Sequence, residues 1–211
     1  MPTILITSGP TREYLDPVRY LTNGSSGRMG VALADAVLRH GGMPLIVSGP
    51  TALAYPPQAD VHWVETTEQM LEKCVQLFPI CAGVIGAAAP CDFKPLLFSQ
   101  NKITKSAGQN VTFQFFPTPD ILAALGSIKR LDQWSVAFAL ETDEGKRRAL
   151  GKMQQKNCDF IVLNNPDSIG RDEASFQIFD AVGNMRTAFH GSKHRLADEL
   201  IGIVSARNVP H

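Results

Sequence analysis

The residues best suited to chemistry lie where an apolar run, Thr3–Thr7, gives way to an amphipathic one. There the chain reads Asn23-Gly24-Ser25-Ser26-Gly27-Arg28-Met29-Gly30. Small residues ahead of a helix let backbone N–H groups approach a phosphate, Ser25 and Ser26 add hydroxyl donors, and the helix dipole favours negative charge. A tight turn that merely caps the helix accounts for the same letters, so the local sequence leaves both readings open. The connection carrying this run, Ser8–Ser26, is long for a compact domain, and long connections are usually functional.

Further candidates are basic or small. Ala88–Gln109 has no clear period and carries Lys94, Lys102 and Lys105, which fits a long, mobile functional loop. The competing view of Lys102 is a solvated surface lysine. Lys152 and Lys156 stand four apart on an expected helix, so both ammonium groups can project from one face; Arg148 on the same stripe suits an ordinary basic surface equally. Gly86, Ala87 and Ala88 would admit a flat base, or would simply pack closely at a strand end. Thr118-Pro119-Asp120 reads as a helix start with Thr118 as N-cap, running on through Ile121 and Leu122. Its N–H groups could receive a ligand, although capping alone explains it. Phe138 stacks on a base or belongs to the core.

The four cysteines form no CxxC pair, which points to free thiols in a reducing cytoplasm. Cys91 adjoins Asp92 with no histidine nearby, so it reads as a small buried residue and not a nucleophile. His190 and His194 are separated by an expected helix start and would not share a face, so no metal site is assigned. The glycine pattern Gly24-x-x-Gly27-x-x-Gly30, with a second strand ending Ser48-Gly49-Pro50-Thr51, departs from the dinucleotide fingerprint and lacks its ribose-binding carboxylate. No Gly-x-x-x-x-Gly-Lys-Ser/Thr loop is present.

The elements that must position these residues alternate. Strands are expected at Thr3–Thr7, Met43–Ser48, Asp60–Val64, Cys81–Ala87, Val111–Phe116, Ser135–Ala139 and Phe160–Leu163. Helices are expected over Gly27–Arg39, from a Thr66/Gln69 capping box to about Leu77, after Thr118, over Asp143–Lys156, and over Lys193–Val204 behind Ser192. Ser175–Phe179 and Met185–Phe189 form a hairpin. This pattern predicts an α/β fold with a largely parallel central sheet and a C-terminal hairpin, as one domain over residues 1–211. The composition agrees. Twenty Lys+Arg balance twenty Asp+Glu, and 44% of the 211 residues are hydrophobic, which argues for a core and against a generic nucleic-acid binder. The longest apolar stretches, such as Cys81–Ala89, fall short of the roughly 20 residues that span a bilayer.

These residues carry a resemblance. Leu5-Ile6-Thr7-Ser8-Gly9-Pro10-Thr11-Arg12-Glu13, Leu15-Asp16-Pro17-Val18-Arg19-Tyr20 and Asn23–Gly30 resemble the opening of phosphopantothenoylcysteine synthetase of coenzyme A biosynthesis. The likeness continues through Val47–Pro50, Ala87–Phe93, Lys102–Lys105, Pro119–Leu122, Phe138–Thr142 and Lys152 to Asp159. It implies a ligase with a Rossmann-like three-layer fold, commonly a homodimer working with Mg²⁺, that joins 4′-phosphopantothenate to L-cysteine through an acyl-nucleotide, with CTP as co-substrate in bacteria. It further implies Asn23 at the acyl-nucleotide and Lys102 as a flap lysine. Ser25, Ser26, Gly27, Gly86, Ala87, Ala88, Asp92, Pro119, Asp120, Ile121, Leu122, Phe138, Lys152 and Lys156 then fall at the nucleotide. Ala89-Pro90-Cys91-Asp92-Phe93 replaces the more usual Ala-Val-Ala-Asp-Tyr, and Thr104 replaces a basic residue, departures that bear on CTP against ATP. In many bacteria the synthetase follows a flavin-dependent phosphopantothenoylcysteine decarboxylase in one chain; here the chain starts at the synthetase motif, free-standing or cut from such a fusion. An NAD(P)-dependent oxidoreductase and a non-catalytic nucleotide-binding subunit are the alternatives.

Overall fold

The computed structural model describes residues 1–105, 108, 110–140, 145–164 and 173–206. Six strands form a parallel sheet: β1 (Thr3–Ser8), β4 (Met43–Ser48), β5 (Asp60–Trp63), β6 (Gly83–Gly86), β9 (Trp134–Leu140) and β10 (Phe160–Asn164). Their spatial order is β5-β4-β1-β6-β9-β10, extended past β10 by the antiparallel pair β11 (Glu173–Asp180) and β12 (Met185–Ser192). From β1 the chain moves outward to β4 and β5, then returns to β6 on the other side of β1. That reversal leaves a crevice above the carboxyl ends of β1 and β6, where open α/β sheets bind their ligands.

Both faces of the sheet are covered, which is why its strands read as near-continuous apolar runs. On one face, α1 (Arg28–Arg39) and α5 (Lys193–Ala206) pack over Ile4, Ile6, Ile46, Ile85 and Val136. On the other, α2 (Thr67–Leu77), α3 (Ile121–Ile128) and α4 (Gly145–Gln155) cover Leu5, Leu45, Val47, Val84 and Ile161. None of the described helices is long and apolar enough to cross a membrane.

Local signals set several boundaries. The Thr66/Gln69 capping box forms: Thr66 Oγ1 accepts from Gln69 N–H, and Gln69 Oε1 accepts from Thr66 N–H, both at 3.2 Å. Ser192 Oγ accepts from Arg195 N–H at 3.3 Å and caps α5. The cap of α3 differs from the expectation. Asp120 holds it, its Oδ1 accepting from Ala123 N–H at 3.0 Å. Thr118 instead continues the preceding strand, donating its N–H to Asp92 O at 2.9 Å and its hydroxyl to Cys91 O.

Two connections contain strands that sequence reading misses. Ser8–Ser26 folds into a small hairpin of β2 (Arg12–Tyr14) and β3 (Tyr20–Thr22). The stretch read as one loop, Ala88–Gln109, contains β7 (Phe93–Pro95), which pairs with β8 (Phe115–Pro117). The expected strand Val111–Phe116 shrinks to β8 because its partner β7 is three residues long, and β6 starts late because Phe78–Ile80 form a 3-10 turn running into Cys81. Asp143 and Glu144 of the expected fourth helix, and Glu141 and Thr142 of the resemblance, lie outside the described residues.

Candidate active site

The crevice is built by the exits of β1 and β6. Past Gly86, backbone donors stitch the chain to β1 and its continuation: Ala87 N–H to Thr7 O, Ala88 N–H to Thr7 Oγ1, Ala89 N–H to Gly9 O at 2.9 Å. The carbonyls of Ala89 and Pro90 then accept from Asn23 Nδ2, at 3.3 and 2.8 Å. With its amide nitrogen committed to backbone, Asn23 has its Oδ1 as the end able to meet a ligand. The sequence spaces Asn23 and Pro90 far apart, and only the crevice brings them together.

Beside it begins α1. Gly27 caps the helix with φ of +78°, a conformation that favours glycine, and Ser26 Oγ accepts from Arg28 N–H at 3.5 Å. One turn on, a Cβ at Gly30 would sit 1.9 Å from Ser8 Oγ. The missing side chain lets α1 lie directly against β1 and brings its positive end to the crevice. Thr51 Oγ1 donates to Ser26 O at 3.0 Å and fixes the loop from outside.

On the β6–β9 side lies a cleft of about 350 Å³. It gathers nine of the predicted nucleotide residues: Gly86, Ala88, Asp92, Pro119, Asp120, Ile121, Leu122, Phe138 and Lys156. Lys156 Nζ lies 3.0 Å from Asp120 Oδ2, which holds the ammonium over the start of α3. Ser25, Ser26 and Gly27 stand at the neighbouring start of α1, while Asn23, Ala87, exposed Lys152 and exposed Lys102 do not line the cleft. Phe138 is half-buried, packing against the core and facing the cleft. Cys91 is buried with its thiol pKa raised by burial, which makes it a poor nucleophile.

Lys102 belongs to the flap between β7 and β8. Its neighbour Ile103 is fixed at both ends: its N–H donates to Asp16 Oδ2 at 3.0 Å, and its carbonyl accepts from Arg19 Nη1 at 2.9 Å. Asp16 also receives N–H groups from Val18 and Arg19 and the Arg19 guanidinium. Burial works to raise its carboxyl pKa, but the bonds from Ile103, Val18 and Arg19 outweigh burial and hold it at about 2. Sequence reading also misses Asn164. Its Oδ1 is buried without a hydrogen-bond partner at the carboxyl end of β10, an acceptor of the kind that costs free energy unless something else satisfies it. No motif marks it.

Residues 2–207 match the family described as the DNA/pantothenate metabolism flavoprotein C-terminal domain. The chain belongs to this family. The resemblance to phosphopantothenoylcysteine synthetase therefore stands at the level of family. Among relatives of this domain, the coenzyme A biosynthesis bifunctional protein CoaBC of Bacillus subtilis is 36% identical over 96% of the chain and 51% of its own length. That of Haemophilus influenzae is 32% identical over 97% and 51%. A cysteine/cysteine sulfinic acid decarboxylase from an unknown prokaryotic organism is 43% identical over 77% of the chain and 45% of its own length. The chain thus spans about half the length of the curated relatives it matches. The crystal structure of the C-terminal domain of CoaBC superposes with a TM-score of 0.83 at 32% identity, covering 98% of this chain and 95% of that one. Cab2 mutant H337A, in complex with phosphopantothenate-cysteine, shares the fold at a TM-score of 0.80 and 18% identity, covering 98% and 86%. The family domain is thus the α/β fold expected from the sequence.

Among the described residues no group of three or more His, Cys, Asp or Glu is placed to hold a metal by itself. A Mg²⁺ carried by a triphosphate needs only one or two carboxylates beside phosphate oxygens. Asp92, exposed at the cleft, fits that requirement.

Proposed function

We propose that this chain, acting as one domain, joins 4′-phosphopantothenate to L-cysteine in coenzyme A biosynthesis, with CTP as co-substrate. The observation that carries the reading is the gathering of nine sequence-predicted residues in one cleft beside Asn23 and the glycine-capped start of α1. In the first step a carboxylate oxygen of phosphopantothenate bonds to the α-phosphorus of CTP. The bond from that phosphorus to the bridging oxygen breaks, and its electron pair leaves with pyrophosphate. In the second step the cysteine amine bonds to the acyl carbon, the acyl C–O bond breaks, CMP leaves with that electron pair, and the amine releases a proton to solvent. Neither step needs a protein nucleophile; both need alignment and charge screening.

The residues divide that work. Phe138 and the small Gly86, Ala87 and Ala88 receive the base, with Lys152 and Lys156 supplying charge near it. Pro119, Asp120, Ile121 and Leu122 form the wall at the start of α3. Ser25, Ser26 and Gly27 offer donors to phosphate oxygens. Lys102 closes over the α-phosphate from the flap, and Asn23 Oδ1 orients the incoming amine. Asp92 would hold Mg²⁺ with the triphosphate, and when bound the ion screens the phosphate oxygens. The working form is a homodimer, supported by the large apolar side chains exposed around the flap, among them Phe93, Leu97, Phe115 and Phe116. A phosphopantothenoylcysteine decarboxylase, fused or separate, is the partner activity, and the four unbridged cysteines support a reducing cytoplasmic setting.

The test is pyrophosphate release with CTP, 4′-phosphopantothenate and Mg²⁺, with and without cysteine, repeated with ATP. Release that depends on phosphopantothenate, with amide formed only when cysteine is added, is expected. No release with either nucleotide, together with NAD(P)H binding, sinks the ligase reading in favour of an oxidoreductase. Nucleotide binding without any turnover would favour the non-catalytic subunit.

A further inference from the structure

Lys156 owes its place in the cleft to a contact made outside it. At the end of α4, Asn157 N–H donates to Gln154 O at 3.1 Å and Cys158 N–H to Met153 O at 2.9 Å. These are the paired bonds of a Schellman cap, with Lys156 as the last helical residue and Asn157 in the left-handed position beyond it. Asn157 has φ of +50° and is the one non-glycine residue with positive φ among the described residues. Glycine takes that conformation at no steric cost, so the cap alone does not account for an asparagine. Its side chain does: Asn157 Nδ2 donates to Gly126 O in α3 at 2.8 Å, a carbonyl that the end of that helix leaves without an intrahelical partner.

α3 grips the same turn at two further points. A Cβ at Gly126 would stand 2.1 Å from Lys156 O, so helix and turn meet backbone to backbone. Lys129, which ends α3, donates its ammonium to Asn157 O at 2.7 Å and to Asp159 Oδ2 at 2.6 Å. The side chains of Lys129 and Asp159 are only 10% and 14% exposed, so salt screens this pair little. Lys156 is thus held with its backbone against Gly126 and its Nζ 3.0 Å from Asp120 Oδ2, at the other end of α3. About 9 Å of helix lies between Asp120 and Gly126 at roughly 1.5 Å per residue. The lysine side chain has to run along most of α3, and a shift at its root is a shift at its tip.

We propose that Asn157 and Gly126 are positioning residues: they lock the end of α4 onto α3 and so set where the Lys156 ammonium stands in the cleft. The proposal rests on the ligase reading, in which Lys156 supplies charge near the base, and adds to it the two residues that aim that charge. Neither lines the cleft, so both act through Lys156. A lysine ammonium is a point charge on a flexible stem, and immobilising it on binding costs rotamer freedom. A root and a partner fixed before the nucleotide arrives remove part of that cost.

The test is a double-mutant cycle on the full chain. Asn157→Gly accepts the positive φ and removes the amide that bonds Gly126 O. Its KM for CTP is expected to rise about tenfold, the scale of one lost contact to a charged group. Its kcat, and its KM for phosphopantothenate and for cysteine, stay within about twofold, as when binding is lost without loss in the chemical steps. In a Lys156→Ala background the same change should move the KM for CTP by less than about twofold, because nothing is left to position. Equal effects in both backgrounds, or no effect of Asn157→Gly on a parent that turns over CTP, overturn the proposal. A nucleotide-free crystal structure of Asn157→Gly gives a readout independent of turnover. Lys156 Nζ is expected farther than about 4 Å from Asp120 Oδ2, beyond ion-pair reach; an unmoved ammonium overturns the proposal. A displaced Lys156 in a chain that neither binds CTP nor turns it over would fail the ligase reading and leave the lock standing. Should Asn157→Gly not fold, Asn157→Asp takes its place, since aspartate accepts the left-handed conformation and its carboxylate cannot donate to Gly126 O.

Discussion

Asn23 touches two backbone carbonyls and, through them, the exit of β6. An aspartate there cannot donate to Ala89 O or Pro90 O and adds a charge beside the acyl-nucleotide. Asn23→Asp is expected to release pyrophosphate from CTP and phosphopantothenate but to lose amide formation by about a hundredfold, because a carboxylate repelled by the Ala89 and Pro90 carbonyls no longer holds its oxygen on the amine, the scale of one misplaced transition-state contact. Acyl-nucleotide then accumulates and can be trapped and weighed by mass spectrometry; normal amide formation in this variant would remove Asn23 from the second step. Asp16 offers a test through pH. Its folded pKa of about 2 lies below the ordinary value of 3.8, so its contribution is complete above the ordinary value and is lost as pH falls toward 2. Hydrogen-exchange protection at Leu96–Lys105, taken relative to the intrinsic amide rate at each pH, should stay constant from pH 7 to 5 and fall between about 4 and 2, the window the two pKa values set; loss of protection already between pH 7 and 5 would mean another group holds the flap. At this scale the sequence was informative where residues sit in long distinctive runs, as Asn23 and Asp92 do. Asn164 was illegible because its significance is an unpaired oxygen, a property of its surroundings.

The contact of α1 with β1 depends on one missing methyl group. At Gly30 a Cβ would lie 1.9 Å from Ser8 Oγ and 2.5 Å from Ser8 Cβ, so Gly30→Ala must push the helix outward. The cost is expected at about 1–3 kcal/mol, as for other overpacked sites, read as a lower midpoint in denaturant. Adding Ser8→Gly should recover part of it, and a single variant as stable as the parent would mean the interface yields freely. Elements of this length were legible because their signals are local: the Thr66/Gln69 box and the Ser192 cap act within one turn. The start of α3 was placed two residues early because Thr118 is captured by Asp92 across the flap base, a contact between segments that the turn chemistry of Thr118-Pro119-Asp120 does not encode. The three-residue strands β2, β3, β7 and β8 are too short to show a period, and each exists only through its partner.

At the scale of the molecule, the largely parallel sheet follows from alternation of strands and helices, whereas the strand order and the reversal at β1 that opens the crevice do not. What alternation does not give is the surface around the flap, where Phe93, Leu97, Phe98, Phe115 and Phe116 stand exposed. Sedimentation should find a species of twice the 23.0 kDa chain mass, and Phe116→Lys should shift it toward monomer by placing a charge in an apolar contact. A monomer at every concentration would retire the dimer. Because β11 and β12 reverse the chain twice, β12 runs in the direction of β10, and α5 sets out from the rim that bears the crevice and travels to the opposite one. β1 also begins at that opposite rim, so Thr3 and Ala206 both come out at the back of the molecule. A tether, a surface anchor or a covalently joined neighbour attached at either place would leave the mouth of the cleft unobstructed.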